Sequence, residues 1–422
     1  EFELPSYLVK ARYSAGDHSV TASYTNTETT ERDKPYDSFG TTGGSFGNVD
    51  RDTTSETIAL KYNYNPLTND LINLDVIYSY ANQEIDQTCI VGSGPFGCFA
   101  TVDADHRYET SKLTVKNSAF IEAGVLTHDI RAGLEYILKE RLDASSAPGG
   151  EDNRYAFFVV DNIEFGGGWS FTPALRFETS EVEGVLDDGS NASYDNDALM
   201  GGASLRYEFD NGIALFGSYA YTESLPILDD LENETYMTQP EIGETVEIGG
   251  SYDRIGVFGR DDSLSIKANF YRTDLEDNTS YSGVDFVELS GLELEGSYAR
   301  RDGTYVDVNA NIVDGEQTNT TGTKSDWRNL TADSMRVTLG KRFSPLADLS
   351  TEFVAAADDE INDRPGYVTV NLRATITPQE GVLEGTSFRF GIENALDMNY
   401  MPALATRTAA GRNIKFTVSK SF

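Results

Sequence analysis

The closing run of the chain permits few folds. Ile414, Phe416, Val418 and Phe422 fall on one face of an extended strand, with Lys415, Thr417, Ser419 and Ser421 on the other. Side chains on a strand point alternately to two faces, so such a run separates an apolar medium from a polar one. The same period of two recurs in Leu74/Val76/Tyr78/Tyr80, Leu264/Ile266/Ala268/Phe270, Val368/Val370/Leu372 and Phe388/Phe390/Ile392. About nineteen such segments can be counted, each near the ten or so residues that a tilted membrane-crossing strand needs.

The connections between segments alternate between tight and long. Ala15-Gly-Asp17, Asn65–Asp70, Glu122-Ala-Gly124, Gly166-Gly-Gly168, Asp210-Asn-Gly212, Arg260-Asp-Asp262 and Arg301-Asp-Gly303 have hairpin-turn chemistry. Long connections are expected at roughly 27–55, 84–106, 139–152, 180–194, 224–240, 274–285, 315–331, 358–365 and 395–410. Short turns at one end and long loops at the other are the topology of an outer-membrane barrel. No fixed-period repeat points to a solenoid or propeller. The expected fold class is all-β: a transmembrane antiparallel β-barrel over residues 1–422, with short periplasmic turns and long extracellular loops.

Composition agrees once alternation is allowed for. Apolar residues make up 39% of the chain, and no run of eighteen apolar residues offers a transmembrane helix. In a barrel only every second residue faces lipid, and the 23 Tyr and 22 Phe suit aromatic girdles at the two interfaces. Trp169 and Trp327 read as girdle or loop residues. The net charge of −36 argues against nucleic acid as a partner, because no basic stripe could neutralise phosphates. Acid concentrates at Asp187-Asp188, Asp229–Glu234, Asp274–Asp277 and Asp358–Glu360. These stretches read as solvated, mutually repelling loops, with divalent-cation binding as the alternative; none matches the calcium-loop pattern.

Cys89 and Cys98 enclose a Gly/Pro-rich run that closes easily into a loop disulfide in an oxidising compartment. Free thiols are the alternative, and zinc lacks a second ligand pair. His18 and His128 sit beside expected periplasmic turns and His106 ends an outer loop, so the three cannot share a site. His106 is a candidate for ligand capture, against the plainer reading of a solvated loop histidine. No Gly-x-Ser-x-Gly or metalloprotease motif is present, so no catalytic residues, no metal site and no enzyme activity are expected.

The segment Gly391-Ile392-Glu-Asn394-Ala-Leu396-Asp397-Met-Asn-Tyr400, followed by Gly411-Arg412 and a strand closing on Phe422, resembles the C-terminus of TonB-dependent outer-membrane receptors. Gln239-Pro240-Glu241 to Glu247-Ile-Gly249 is similar to that family's signature where a long outer loop re-enters the barrel. Arg364-Pro365-Gly366-Tyr367 is similar to the start of a late strand. The resemblance implies a barrel of 22 strands around an N-terminal plug. Against that pattern, about three strands, the plug and the TonB-contacting box are expected to be absent from this chain.

The implied function is capture of an iron complex at the outer loops for energised uptake, with haem favoured over a ferric siderophore. Both are cargo, and no intrinsic cofactor is implied. The implied partners are outer-membrane lipid and lipopolysaccharide, the TonB-ExbB-ExbD complex and the barrel-assembly machinery, for which Phe422 would complete the signal. Asn399-Tyr-Met-Pro-Ala-Leu-Ala405 resembles the haem branch. That branch usually carries a Phe-Arg-Ala-Pro box, a loop histidine and an Asn-Pro-Asn-Leu box in the equivalent outer loop. Here the corresponding run reads Glu223-Ser-Leu-Pro-Ile-Leu-Asp-Asp230 and the loop has no histidine, so Tyr236 and Met237 are the candidate axial ligands there. Arg407 and Arg412 are candidates for gripping an anionic ligand, against a plain role offsetting local acid. A passive porin and an adhesin barrel remain the rival readings.

Overall fold

A computed structural model describes residues 2–36, 47–94, 105–144, 149–277, 283–405 and 408–420. Contacts divide the chain into two compact units. The first comprises Glu1–Ser204, Ala220–Glu244 and Leu275–Gly283; the second comprises Leu205–Tyr219, Thr245–Asp274 and Val284–Phe422. In chain order the strands begin with β1 (Phe2–Glu3), β2 (Ser6–Ala15), β3 (His18–Pro35), β4 (Asn48–Tyr64), β5 (Leu74–Cys89), β6 (His106–Ala123) and β7 (Leu126–Ala144). They continue with β8 (Gly150–Gly166), β9 (Trp169–Val185), β10 (Asn191–Glu208), β11 (Ile213–Ser224), β12 (Glu241–Ile255), β13 (Ser263–Glu276) and β14 (Val284–Ala299). The last are β15 (Thr304–Asn319), β16 (Lys324–Asp326), β17 (Ser334–Phe343), β18 (Ala347–Ala356), β19 (Tyr367–Ile376), β20 (Thr386–Glu393) and β21 (Asn413–Lys420). Two of these 21, β1 and β16, are fragments of two and three residues, which leaves nineteen full strands among the described residues.

Register shows what the alternation is for. In the first unit, β2 to β9 pair antiparallel in sequence order and bring Tyr13, Val20, Tyr62, Val76, Val115, Leu134, Phe157 and Phe177 into one cross-strand row. One residue earlier or later on each strand, the row reads Arg12, Thr21, Lys61, Ile77, Thr114, Glu135, Ala156 and Glu178. The second unit repeats the pattern. Val306, Leu339, Thr351, Leu372, Ile392 and Ile414 form one row, and Tyr305, Gly340, Ser350, Arg373, Gly391 and Lys415 form the next. A one-residue slip anywhere would move a whole strand's apolar set to the wrong face, so the two-sided pattern fixes the pairing.

Burial is the reverse of a water-soluble fold. Leu134 is 61% exposed while Asp152 is 1% exposed. Large apolar groups that stay uncovered in rows across adjacent strands need a non-aqueous surround. On β7 the apolar face runs from His128 to Glu140 with Leu134 midway. Twelve residues span about 40 Å along a strand, which a tilt of about 40° reduces to roughly 30 Å, the thickness of a bilayer's hydrocarbon core. Glu109, Glu140, Glu151 and Glu183 stand side by side across β6 to β9 at the far edge of this band. Carboxylates are costly in hydrocarbon, so this row marks where the apolar band ends.

The strands run well past that limit, which differs from the sequence expectation. β3 and β7 have 18 and 19 residues, and the connection expected over 27–55 is strand to Pro35 and again from Asn48. Apolar alternation stops outside the bilayer because both faces meet water, yet the backbone ladder continues. Polar cross-strand contacts reinforce it: Arg32 pairs with Asp52 at 2.8 Å, and Arg51 Nε donates to Gln87 Oε1 at 2.7 Å.

Candidate functional site

The connection from β11 to β12 was expected to be a solvated acidic loop. It is instead packed against the outer ends of β7 to β10 within the first unit. Two short helical pieces organise it, a 3-10 turn at Leu228–Asp230 and α1 at Glu234–Met237. Asn233 caps α1, its Oδ1 accepting from the backbone N–H groups of Thr235 and Tyr236 at 3.1 and 3.4 Å. Leu228, Leu231 and Met237 are buried on Val182, with Leu186, Ala192 and Tyr194 around them. Each such side chain contributes about 1.5–3 kcal/mol when fully buried.

Two glycines make the seat. Gly150 and Gly184 face each other on β8 and β9. A Cβ on Gly150 would lie 2.8 Å from Leu228 Cδ1, and one on Gly184 would lie 2.8 Å from Leu231 Cδ2. In each case a main-chain carbonyl lies closer still, Glu183 O and Gly149 O at 2.5 Å, so any larger residue would strain the β8–β9 backbone as well as crowd the leucine tips.

Buried arginines hold the loop from below. Arg141, 2% exposed, donates from Nη1 to Asp229 Oδ1 at 2.6 Å and from Nη2 to the Leu228 carbonyl at 3.3 Å. Arg154 donates from Nη2 to the Pro226 carbonyl at 2.9 Å while its Nε reaches both Asp152 oxygens at 2.9 Å. Asn196 Nδ2 donates to the Met237 carbonyl at 3.0 Å, and the Asp187 backbone N–H donates to Glu232 Oε1 at 2.6 Å. Asp229 and Glu232 are therefore partners in docking.

Two of the expected site residues lie in this loop, and a third, His106, is linked to it through Tyr108 and Arg141. Tyr236 is half-buried in α1, and Met237 beside it is fully buried in the apolar cluster, where its thioether fills space. His106 opens β6; its ring stacks on Tyr108 at 6.1 Å, and its Nδ1 is buried with no hydrogen-bond partner. Tyr108 hydrogen-bonds Arg141, so His106, Tyr108, Arg141 and Asp229 form one contiguous array. The two other histidines lie at the turn ends of their strands: His18 contacts the Tyr62 hydroxyl and His128 contacts Asp161, each at 2.8 Å. No cluster of metal-ligating side chains occurs among the described residues.

Asp230 gives the loop a pH dependence. Burial, and then the adjacent Asp229 charge, push its carboxyl above the usual carboxylate range. Its Oδ1 is also buried without a hydrogen-bond partner. A raised value means that the docked loop holds this proton more tightly than the released loop does. The contribution of Asp230 to docking is thus fully present below the free value of about 3.9 and is lost as pH rises through the raised one. Amide protection across 225–240, corrected for intrinsic exchange, is expected to fall over that window. Asp230→Asn should flatten the profile, and an unchanged profile in that variant would refute the assignment.

Residues 5–395 match the family model for the TonB-dependent receptor-like β-barrel. The chain belongs to the TonB-dependent receptor family. It is an outer-membrane β-barrel of a Gram-negative bacterium, and its exposed apolar rows are the faces turned to lipid. The heme/hemopexin utilization protein C of Haemophilus influenzae strain 86-028NP is 25% identical over 210 residues, covering 44% of this chain and 29% of that protein. The TonB-dependent heme receptor A of H. influenzae (strain ATCC 51907 / DSM 11121 / KW20 / Rd) is 21% identical over 469 residues, covering 89% of this chain and 61% of that receptor. Neither match reaches two thirds of the relative's length. Among solved structures, the Serratia marcescens hemophore receptor HasR superposes with a TM-score of 0.78 at 15% identity, over all of this chain and 72% of HasR. The Acinetobacter baumannii siderophore receptor PiuA gives 0.73 at 15% identity, over 98% of this chain and 72% of PiuA.

In this TonB-dependent receptor barrel the C-terminal motif is a clasp for the last outer loop. Asn394, in the left-handed region at φ +48°, accepts from the Met398 N–H at 2.8 Å and donates to the Met398 carbonyl at 2.7 Å. Asp397 Oδ1 accepts from the Arg412 N–H at 2.8 Å, and Arg412 Nε donates to the Ala395 carbonyl at 3.0 Å. Tyr400 packs on Tyr367 with centroids 4.2 Å apart. Arg412 thus ties its own loop, and it lies in the second unit whereas Tyr236 and His106 lie in the first. Cys89 is disulfide-bonded and buried beside Val49 and Tyr36. Cys98, Arg407 and Phe422 lie outside the described residues.

Arg141 and Arg154 were not singled out from the sequence. Arg141 lies inside the long connection expected at 139–152 and Arg154 just beyond it, and a chain with 33 basic against 69 acidic residues gives reason to ask what each cation there serves.

Proposed function

We propose that this barrel belongs to a receptor that binds haem at its outer loops for TonB-energised passage into the periplasm. The observation that carries the reading is the match to proteins named for heme use, one of them aligned over 89% of this chain. The docked loop supports it chemically. Tyr236 presents a phenol of the type that serves as an axial ligand, and His106 brings a buried imidazole nitrogen without a partner into the array beneath the same loop. Met237 packs inside the cluster, which favours Tyr236 as the loop's ligand. Uptake requires binding and release only, with TonB, ExbB and ExbD as the energising partners and lipopolysaccharide as the surround. Likeness to a siderophore receptor keeps a ferric siderophore as the second reading.

Competition between haemin and ferric siderophores for the refolded chain in detergent tests the proposal. Saturable haemin binding that siderophores do not displace supports it. Tight siderophore binding without haemin binding overturns it.

A further inference from the structure

We propose that Arg141 and Arg154 are positioning residues that latch the loop 225–240, so that it docks and lifts as one body. Arg154 is not free to follow the loop. Arg154 is held by Asp152, and its Nη1 reaches Glu178 Oε1 at 3.3 Å. Glu178 is braced by Arg176 at 2.6 Å, Arg176 by Glu135 at 2.8 Å, and Glu135 by Lys112 at 2.7 Å. The run of ion pairs along the polar face continues through Arg154 to Asp152 and Lys139, and the Arg154 Nη2 that meets Asp152 Oδ2 at 2.8 Å also donates to the Pro226 carbonyl. Turning it away would break pairs that are largely buried.

Arg141 meets the loop two residues later, at the Leu228 carbonyl and at Asp229. Its own side chain is only 1% exposed, so lifting the loop removes partners from a guanidinium that water does not otherwise reach. A charge in that position has two stable states, paired under the docked loop or hydrated beneath a lifted one. Partial release gains neither. The contacts to main-chain carbonyls fix the path of the backbone through the 3-10 turn, and the Asn196 contact to the Met237 carbonyl fixes its far end. Tyr236 lies between these anchors. That the latch sets the pose of a haem ligand rests on the function proposed above; the latch itself does not.

Hydrogen exchange of the refolded chain in detergent tests the latch without any ligand. Asp229→Ala removes the exposed partner of Arg141 and leaves the ion pairs that join Lys112, Glu135, Arg176, Glu178, Arg154 and Asp152 in place, so the unchanged mid-strand amides report that the barrel still folds. Arg141→Met is the stronger variant, and Arg141→Lys should restore part of the protection. In Asp229→Ala and Arg141→Met the amides of 225–240 should lose protection together, by roughly ten- to a hundredfold, the factor expected for hydrogen bonds to a charged group. The mid-strand amides of β6 to β9 should not change. Unchanged loop protection in both variants overturns the latch, and so does loss that spreads residue by residue from the loop ends.

Haemin titration of the same variants separates the two layers of the argument. A loosened loop with weakened haemin binding and an altered Soret spectrum supports the positioning role. A loosened loop with unaltered haemin binding overturns that role. If the unmodified chain takes up no haemin, the proposed function fails and exchange alone decides the latch.

Discussion

Arg154→Met should be the most damaging single substitution on the polar face, lowering stability by roughly 3–5 kcal/mol, the cost of removing one partner from a buried charge cluster. Arg154 sits between Asp152, 1% exposed, and Glu178, 7% exposed. Without it, Asp152 keeps only Lys139 at 3.7 Å and the Ser180 hydroxyl at 2.9 Å, while Glu178 keeps Arg176. The remaining cations place the expected loss toward the lower end of that range. The loop also loses its anchor at Pro226, so increased proteolysis within 225–240 should accompany the lower midpoint in denaturant. Adding Asp152→Asn should recover part of the loss, because it removes the carboxylate that Arg154 balanced. A midpoint unmoved by Arg154→Met would show that the cluster is hydrated and contributes little.

Leu134→Arg should destabilise the membrane-inserted barrel by about 2–4 kcal/mol, the range for arginine on the lipid face at the bilayer midplane. Leu134 lies midway along the apolar stretch of β7, 61% exposed, with Val115 and Phe157 on either side in its row. The same change at Glu140, in the carboxylate row that bounds the band, should cost only about 0–1 kcal/mol. Denaturant titrations in lipid vesicles compare the two. Equal effects at both positions would mean that the apolar rows do not face hydrocarbon.

The transmembrane strands were legible because a period-two pattern against lipid leaves no other solution. The nineteen full strands and the hairpin turns such as Gly16-Asp17 follow from it. The outer strand extensions were not legible. From Thr27 to Glu31 both faces meet water, so nothing apolar alternates, and only the ladder to Arg51–Ser55 shows that the segment is strand. The docking of the loop was not legible: Asp229 and Asp230 read as solvated acid, because the Asp229 partner, Arg141, lies 88 residues away and the burial of Asp230 depends on the docked loop itself. Arg412 shows the opposite limit: its family motif was visible, and its use in clasping the last loop emerged only from the geometry.

The most direct test of the haem-receptor account is a haemin titration of the refolded chain, read at the Soret band, beside Tyr236→Phe and His106→Ala. The account predicts a saturable shift whose position changes and whose affinity falls in Tyr236→Phe. A smaller change in His106→Ala would place that imidazole near the iron. Saturable binding with an identical spectrum in Tyr236→Phe would contradict the account, because the docked loop would then not hold the haem iron.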